Sequence, residues 1–157
     1  MNNGLRSDYV ERIASLCLPN KVYVLLCDFF SELKDIKSDD SFILNLDRSY
    51  QQGSHYIGLL KLTNNDVLFF DPLGLPLFNS DIESALLKNG VKEILYSKKN
   101  IQEGISFHCG IFVLAFHIIC AGQNKSMEEF ISLFTDFDFK KNEEIATKII
   151  VQQLKDV

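Results

Sequence analysis

The stretch from Ser106 to Ala121 is apolar at almost every position. A helix of this pattern has no polar face to give to water, so it is stable only where other elements cover it on every side. Its most apolar part, Ile111 to Ala121, is interrupted by His117 and has about half the ~20 residues that a membrane span requires. It therefore reads as the buried central helix of a domain, and the rest of the chain must supply its wrapping. The 157 residues suffice for one domain. A chain of that length buries about two-thirds of its unfolded surface, so neither a disulfide nor a metal is needed to hold its core. Hydrophobic residues at 46% and charged residues at 24% are ordinary for a globular protein. No repeat, low-complexity tract or linker divides the sequence, and a single domain over residues 1–157 is expected.

Around the apolar stretch, Leu5, Tyr9, Ile13 and Leu16 recur at helical spacing and predict a first helix ending before Pro19. Val22 to Leu26 and Ser41 to Leu46 read as strands, with a charged loop at Lys34 to Asp40 and a polar loop at Asp47 to Ser54. Tyr56 to Leu62 and Val67 to Phe70 form a predicted hairpin turning at Asn64-Asn65-Asp66. Asp81 to Lys88 reads as a helix stopped by Asn89-Gly90, and Val91 to Tyr96 as a further strand. Met127 to Phe134 and Lys141 to Leu154 are closing amphipathic helices. Strands in the middle with helices at both ends predict an α+β domain with a mixed or antiparallel sheet.

The net charge of −5 argues against a general phosphate-binding surface, and so against nucleic acid as a partner. The local cluster Lys88, Lys92, Lys98 and Lys99 reads as a solvated face. The N-terminal segment carries charge where a signal peptide needs an apolar core, which argues against secretion. Cys17, Cys27, Cys109 and Cys120 are then expected to be free thiols.

One of those thiols has an unusual setting. In Ser106-Phe-His-Cys-Gly110, Ser106 is a natural N-cap and Cys109 falls in the first turn of the predicted helix. Free amide groups and the helix dipole at that end favour a thiolate, and the same amides are able to hold a substrate oxyanion. Gly110 removes a side chain beside the sulfur. The alternative is that Cys109 is a small buried hydrophobe, as most free cysteines are.

A nucleophilic cysteine needs a base. His117 lies about two turns further along the same helix and reads as a core or groove histidine, whereas His108 adjoins Cys109 but points elsewhere. Cys109, His117 and Cys120 do not reproduce a zinc-knuckle spacing, so no metal site is expected. His55 opens a strand, and Phe69-Phe70-Asp71-Pro72 ends the partner strand with a carboxylate. Strand pairing would bring Asp71 beside His55, where it fixes the tautomer and supports the charged ring. Asp71-Pro72 is equally a turn initiator. Gln102, in the loop before the central helix, carries an amide able to donate to an oxyanion, and is otherwise a solvated loop residue.

The order His55, Asp71, Gln102, Cys109 resembles that of the adenain-type viral cysteine proteases and, more distantly, of the ubiquitin-like-protein-specific proteases. The stretches that carry the resemblance are Phe42 to Asp47, Gly53-Ser-His-Tyr-Ile-Gly58, Val67 to Gly74, and Gln102 through Cys109-Gly-Ile-Phe112. The resemblance runs from about residue 5 to 122. It implies an α+β, papain-like cysteine protease fold in permuted order, with a central mixed sheet flanked by helices. It further implies Cys109 as nucleophile, His55 as base and Asp71 as its orienting group, with Gln102 and the Cys109 backbone N–H at the oxyanion. Tyr56 stands where the family more often has Trp, and with Gly110 it would border a narrow channel suited to Gly-Gly or Gly-x before the scissile bond.

The implied activity is a cysteine endopeptidase that processes capsid or virion precursor proteins, acting in the host cytoplasm or nucleus or in the virion. Two alternatives are removal of a ubiquitin-like modifier from its conjugates and inactive binding of a Gly-Gly tail. No cofactor or membrane is implied. Adenain is activated by a peptide disulfide-linked to a cysteine between its acid and its nucleophile. No cysteine lies between Asp71 and Cys109, so any activating peptide here is not linked in that way. The DNA cofactor of adenain is likewise not expected on a chain of this charge.

Overall fold

A computed structural model of the chain describes residues 7–18, 22–46, 55–77, 79–103 and 109–156. The order is α1 (Ser7–Cys17), β1 (Val22–Leu26), α2 (Cys27–Phe30), β2 (Ser41–Asn45), β3 (Tyr56–Lys61), β4 (Asp66–Phe70), α3 (Ser80–Lys88), β5 (Glu93–Tyr96), α4 (Cys109–His117), α5 (Met127–Ile131) and α6 (Phe139–Lys155). The five strands form one sheet in the order β1-β2-β3-β4-β5. Its outer pairs, β1 with β2 and β4 with β5, are parallel, and β2 with β3 and β3 with β4 are antiparallel. The sheet is therefore mixed.

Both sheet faces are covered. Ile57, Leu59, Val67 and Phe69 point into a cluster with Phe30 of α2 and Ile82, Ala85 and Leu86 of α3. Tyr56, Leu60, Leu68 and Phe70 point into the larger cluster with α1, α4, α5 and α6. Burial on two sides is why these strands read as near-continuous apolar runs. The apolar stretch at the centre of the sequence is indeed wrapped: Phe112, Val113, Leu114, Ala115 and Phe116 are all fully buried. It does not remain one regular helix, because α4 passes at Ile118–Gly122 into a π-helical turn.

Phenylalanine rings fill much of the layer between the sheet and α4. Phe70 stacks on Phe116 at 5.1 Å, both rings meet Phe130 edge-on, and Phe130 in turn meets Phe134 at 5.1 Å. Gly58 on β3 makes the approach of α4 possible, since a Cβ there would lie 2.7 Å from the Phe116 ring.

Three local expectations need correction, and one helical turn was not expected. In α1 the buried stripe is Val10, Ala14 and Cys17, while Tyr9 and Leu16 are about half exposed. Both sets have helical spacing, and the stripe of Val10, Ala14 and Cys17 is the one that joins the core cluster containing α4. One helical turn, α2, follows β1 directly and buries Cys27 and Phe30. Strand β5 starts at Glu93 because Val91 N–H is used by Leu86 O, closing α3, and Lys92 N–H by Asn65 O. Helix α5 stops at Ile131, short of Phe134, after a Ser126–Glu129 capping box. No described helix is long and apolar enough to cross a membrane.

Candidate active site

The antiparallel hairpin of β3 and β4 places His55, just before β3, beside Asp71, just after β4. The register of Gly58 with Phe70 and Leu59 with Phe69 continues to Ile57 opposite Asp71, so His55, two residues before Ile57, is the diagonal neighbour of Asp71 at the sheet end. His55 Nε2–H donates to Asp71 Oδ1 at 2.9 Å. The same carboxylate oxygen accepts the Leu73 N–H at 2.9 Å, and the Asp71 carbonyl accepts the Gly74 N–H at 2.8 Å. Asp71-Pro72 thus initiates a turn and holds the histidine at once, so both sequence readings are realised in one residue. Gly74 closes this turn with φ +73°, and a Cβ there would lie 2.7 Å from the Lys99 backbone.

Cys109 opens the described part of α4 and is buried. Ser106 and His108 lie outside the described residues, as does the polar loop at Asp47 to Ser54. The Cys109 sulfur accepts the backbone N–H of Tyr56 at 3.3 Å, and its side chain also hydrogen-bonds the His55 ring. Burial by itself would lower the His55 pKa. The hydrogen bonds to Asp71 and Cys109, together with the charges of those two groups, outweigh it and raise the pKa to about 9. The ring is 19% exposed and the carboxylate 4%, so water screens the pair only weakly. The other buried thiols sit differently: Cys27 donates to Leu46 O at 3.1 Å, and burial pushes the Cys120 thiol up to about 12.

Tyr56 and Gly110, expected to border the substrate channel, are both buried next to this centre in the chain. The Tyr56 ring belongs to the same core cluster as Cys109 and Phe112. A cavity of about 250 Å³, lined by Leu46, Phe69, Leu73, Leu75 and Leu77, opens beside His55 and Asp71.

Gln102 is buried, not a solvated loop residue. Its loop is tied to the Asp71 turn, since the N–H groups of Ile101 and Gln102 both donate to Pro72 O, at 2.9 and 3.2 Å. The loop is tied to the C-terminal part of the chain as well. Lys99 Nζ donates to Phe134 O at 3.0 Å and pairs with Asp136 at 2.9 Å, so this lysine is a clamp and not part of a solvated basic face. Asn142 Nδ2 of α6 donates to Ile101 O at 3.1 Å.

His117 is a core histidine whose Nε2–H donates to Phe42 O at 2.9 Å, while its Nδ1 is buried without a hydrogen-bond partner among the described residues. Among the described residues no group of three His, Cys, Asp or Glu side chains is arranged to hold a metal.

Sequence reasoning missed the Tyr56 N–H, the Pro72 carbonyl, Lys99 and Asn142. The main-chain groups leave no trace in a sequence. Asn142 does leave one, because it takes a position in the buried stripe of α6 with Ala146 and Ile150.

No protein-family model and no curated protein matches the sequence. Among solved structures, the chain is similar to the central domain of the uncharacterized Lpg1148 protein from Legionella pneumophila, with 15% identity and a TM-score of 0.54 over 94% of this chain and 97% of that one. It is also similar to ASFV pS273R protease, with 17% identity and a TM-score of 0.50 over 82% of this chain and 60% of that one. A second structure, of the selenomethionine pS273R protease, aligns over 70% of this chain and 43% of that one, with 22% identity and a TM-score of 0.43. The chain thus spans less than two-thirds of the pS273R chain. At these identities the likeness shows the fold alone, the expected α+β arrangement with a mixed five-stranded sheet flanked by helices, shared with that protease.

Proposed function

We propose that this chain is a cysteine endopeptidase with Cys109 as nucleophile and His55 as general base. The observation that carries the reading is the His55 ring, bound at Nε2 by Asp71 and hydrogen-bonded to Cys109. With Nε2 taken, Nδ1 is the nitrogen that holds the Cys109 proton in a thiolate–imidazolium pair, which the carboxylate supports and which agrees with the raised His55 pKa. The sulfur then attacks the scissile carbonyl carbon. Gln102 and the Cys109 backbone N–H stabilise the oxyanion. As the C–N bond breaks, His55 returns its proton to the leaving amine, and water hydrolyses the thioester.

The substrates proposed are polypeptides with Gly-Gly or Gly-x before the cut, threaded past Tyr56 and Gly110, and specifically capsid or virion precursors. The setting would be an infected cell's cytoplasm or nucleus, or the virion. The apolar cavity beside His55 suits an uncharged substrate segment on that side. An enlarged side chain before the cut would meet overpacking of about 1–3 kcal/mol. That lowers turnover roughly ten- to a hundredfold, as 1.36 kcal/mol is a factor of ten.

The test is hydrolysis of a peptide library in which the Gly-Gly pair is replaced position by position, alongside a ubiquitin-like conjugate. Selective cleavage of Gly peptides, lost in Cys109→Ala, is expected. Equal cleavage with Leu or Phe before the cut removes the channel. Cleavage of the conjugate alone replaces precursor processing with deconjugation, and binding of a Gly-Gly tail without cleavage replaces the enzyme with a binding module.

A further inference from the structure

The peptide unit joining Ile101 to Gln102 is gripped at both ends. Its N–H donates to Pro72 O at 3.2 Å and to Asn100 Oδ1 at 3.2 Å, while its carbonyl accepts Asn142 Nδ2 at 3.1 Å. A peptide is planar, so fixing its two polar ends fixes the plane and the starting point of the Gln102 side chain. The grip from α6 is itself rigid. Asn142 is fully buried, its Nδ2 also donates to Thr135 O at 2.9 Å, and its Oδ1 accepts the Thr135 N–H at 2.8 Å and the Thr135 hydroxyl at 3.2 Å. A single amide therefore joins the turn after α5 to the residue before Gln102. The other end of the same peptide rests on the residue after Asp71.

We propose that Asn142 is the positioning residue for Gln102, holding the oxyanion donor in register with the His55–Asp71 pair from outside the site. This rests on the reading of Gln102 as an oxyanion donor. Asn142 touches no reacting atom, and its effect passes through the 101–102 peptide. Loss of an oxyanion donor costs about 10²–10³ in kcat. Misplacing one by ~1 Å costs up to about a hundredfold. Loosening the peptide should therefore lower kcat about 10- to 100-fold and leave KM within about twofold, because the binding surface itself is not altered.

The experiment is a double-mutant cycle of Asn142→Asp with Gln102→Ala, read as kcat and KM on a Gly-Gly peptide. Asn142→Asp keeps the side-chain size and the acceptor for the Thr135 N–H and hydroxyl while removing the donor to both Ile101 O and Thr135 O, and Asn142→Ala, which sets no carboxylate against those carbonyls, serves as the second variant should Asp fail to fold. The expected result is a 10- to 100-fold loss of kcat in the native background and less than about a threefold further loss when Gln102 is already Ala. Equal losses in both backgrounds overturn the proposal, since they mean a general structural effect. A wild-type chain with no activity refutes the peptidase reading instead. The side-chain amide resonance of Gln102 in the full chain then decides the positioning separately: movement in Asn142→Asp supports it, and an unchanged signal overturns it.

Discussion

The backbone N–H of Tyr56 points at the sulfur of Cys109 across 3.3 Å, joining the start of β3 to the start of the described α4. The thiol is therefore held against the sheet by a group that no side-chain substitution removes. His55, one residue earlier, lies within reach of the same sulfur because the strand places it there.

This contact bears on thiol reactivity. A sulfur beside an imidazole and an amide donor is a better nucleophile than one buried among apolar groups. A thiol-directed alkylator is expected to label Cys109 ahead of Cys17 and Cys120, whose thiols are pushed up by burial, and ahead of Cys27, which donates to a carbonyl. Peptide mapping by mass spectrometry after short exposure reads the order, and equal labelling of all four would count against the assignment. Cys109→Ala should remove peptidase activity and leave the circular dichroism spectrum unchanged.

The His55 ring gives stability a basic limb. Its folded pKa of about 9 lies above the ordinary 6.5, so the folded chain holds this proton more tightly than the unfolded one. The resulting stabilisation is complete below pH 6.5 and fades as pH rises through 9. The shift corresponds to about 3 kcal/mol over that window. Asp71→Asn should flatten the decline between pH 6.5 and 9 in urea unfolding, and an unchanged slope would place the proton elsewhere.

His117 acts at the opposite end of the scale. Burial pulls its pKa down to about 4, with the hydrogen bond to Phe42 O opposing. The neutral ring is favoured in the fold, so its contribution is complete above pH 6.5 and is lost as pH falls through 4, again about 3 kcal/mol. His117→Leu should lessen acid sensitivity in that window. At pH 7 the same change should cost ~1–3 kcal/mol, because the Phe42 carbonyl loses its donor inside the core. Unfolding curves at pH 7 and pH 4.5 separate the two effects.

Gly58 supplies a packing test. A Cβ 2.7 Å from the Phe116 ring and 3.3 Å from Val113 has no room, and the ring is itself stacked on Phe70 and fully buried. Gly58→Ala should lower stability by roughly 1–3 kcal/mol through overpacking between β3 and α4. A denaturant midpoint equal to wild type would mean that α4 shifts freely, contrary to this packing.

The elements that were legible in the sequence are those whose signal is local. The Asn64–Asp66 turn carries its own chemistry, with Asn65 at φ +68° and the Asn64 side chain accepting the Asp66 N–H. The all-apolar stretch at the centre needs only its composition to be placed in a core. Strand pairing then sufficed to put His55 and Asp71 together. What stayed hidden depends on tertiary choice. Tyr9-Leu16 and Val10-Cys17 are both helical stripes, and only packing against α4 selects the second. Lys99 looks like any surface lysine until the turn at Phe134 and Asp136 is brought under it. Gln102 looked solvated because nothing in its own loop announces the α6 amide that seats its neighbour.

The reach of α6 back to residue 101 also sets a clock on synthesis. His55, Asp71, Gln102 and Cys109 all leave the ribosome before Asn142, which follows Cys109 by 33 positions. At ~5–20 residues per second that interval is roughly 2–7 s. Throughout it the growing chain carries Cys109 and His55 without the clamp on the 101–102 peptide. On the proposed peptidase reading, the residue assigned to the oxyanion is then seated last, and self-cleavage of the nascent chain is held back until α6 has emerged.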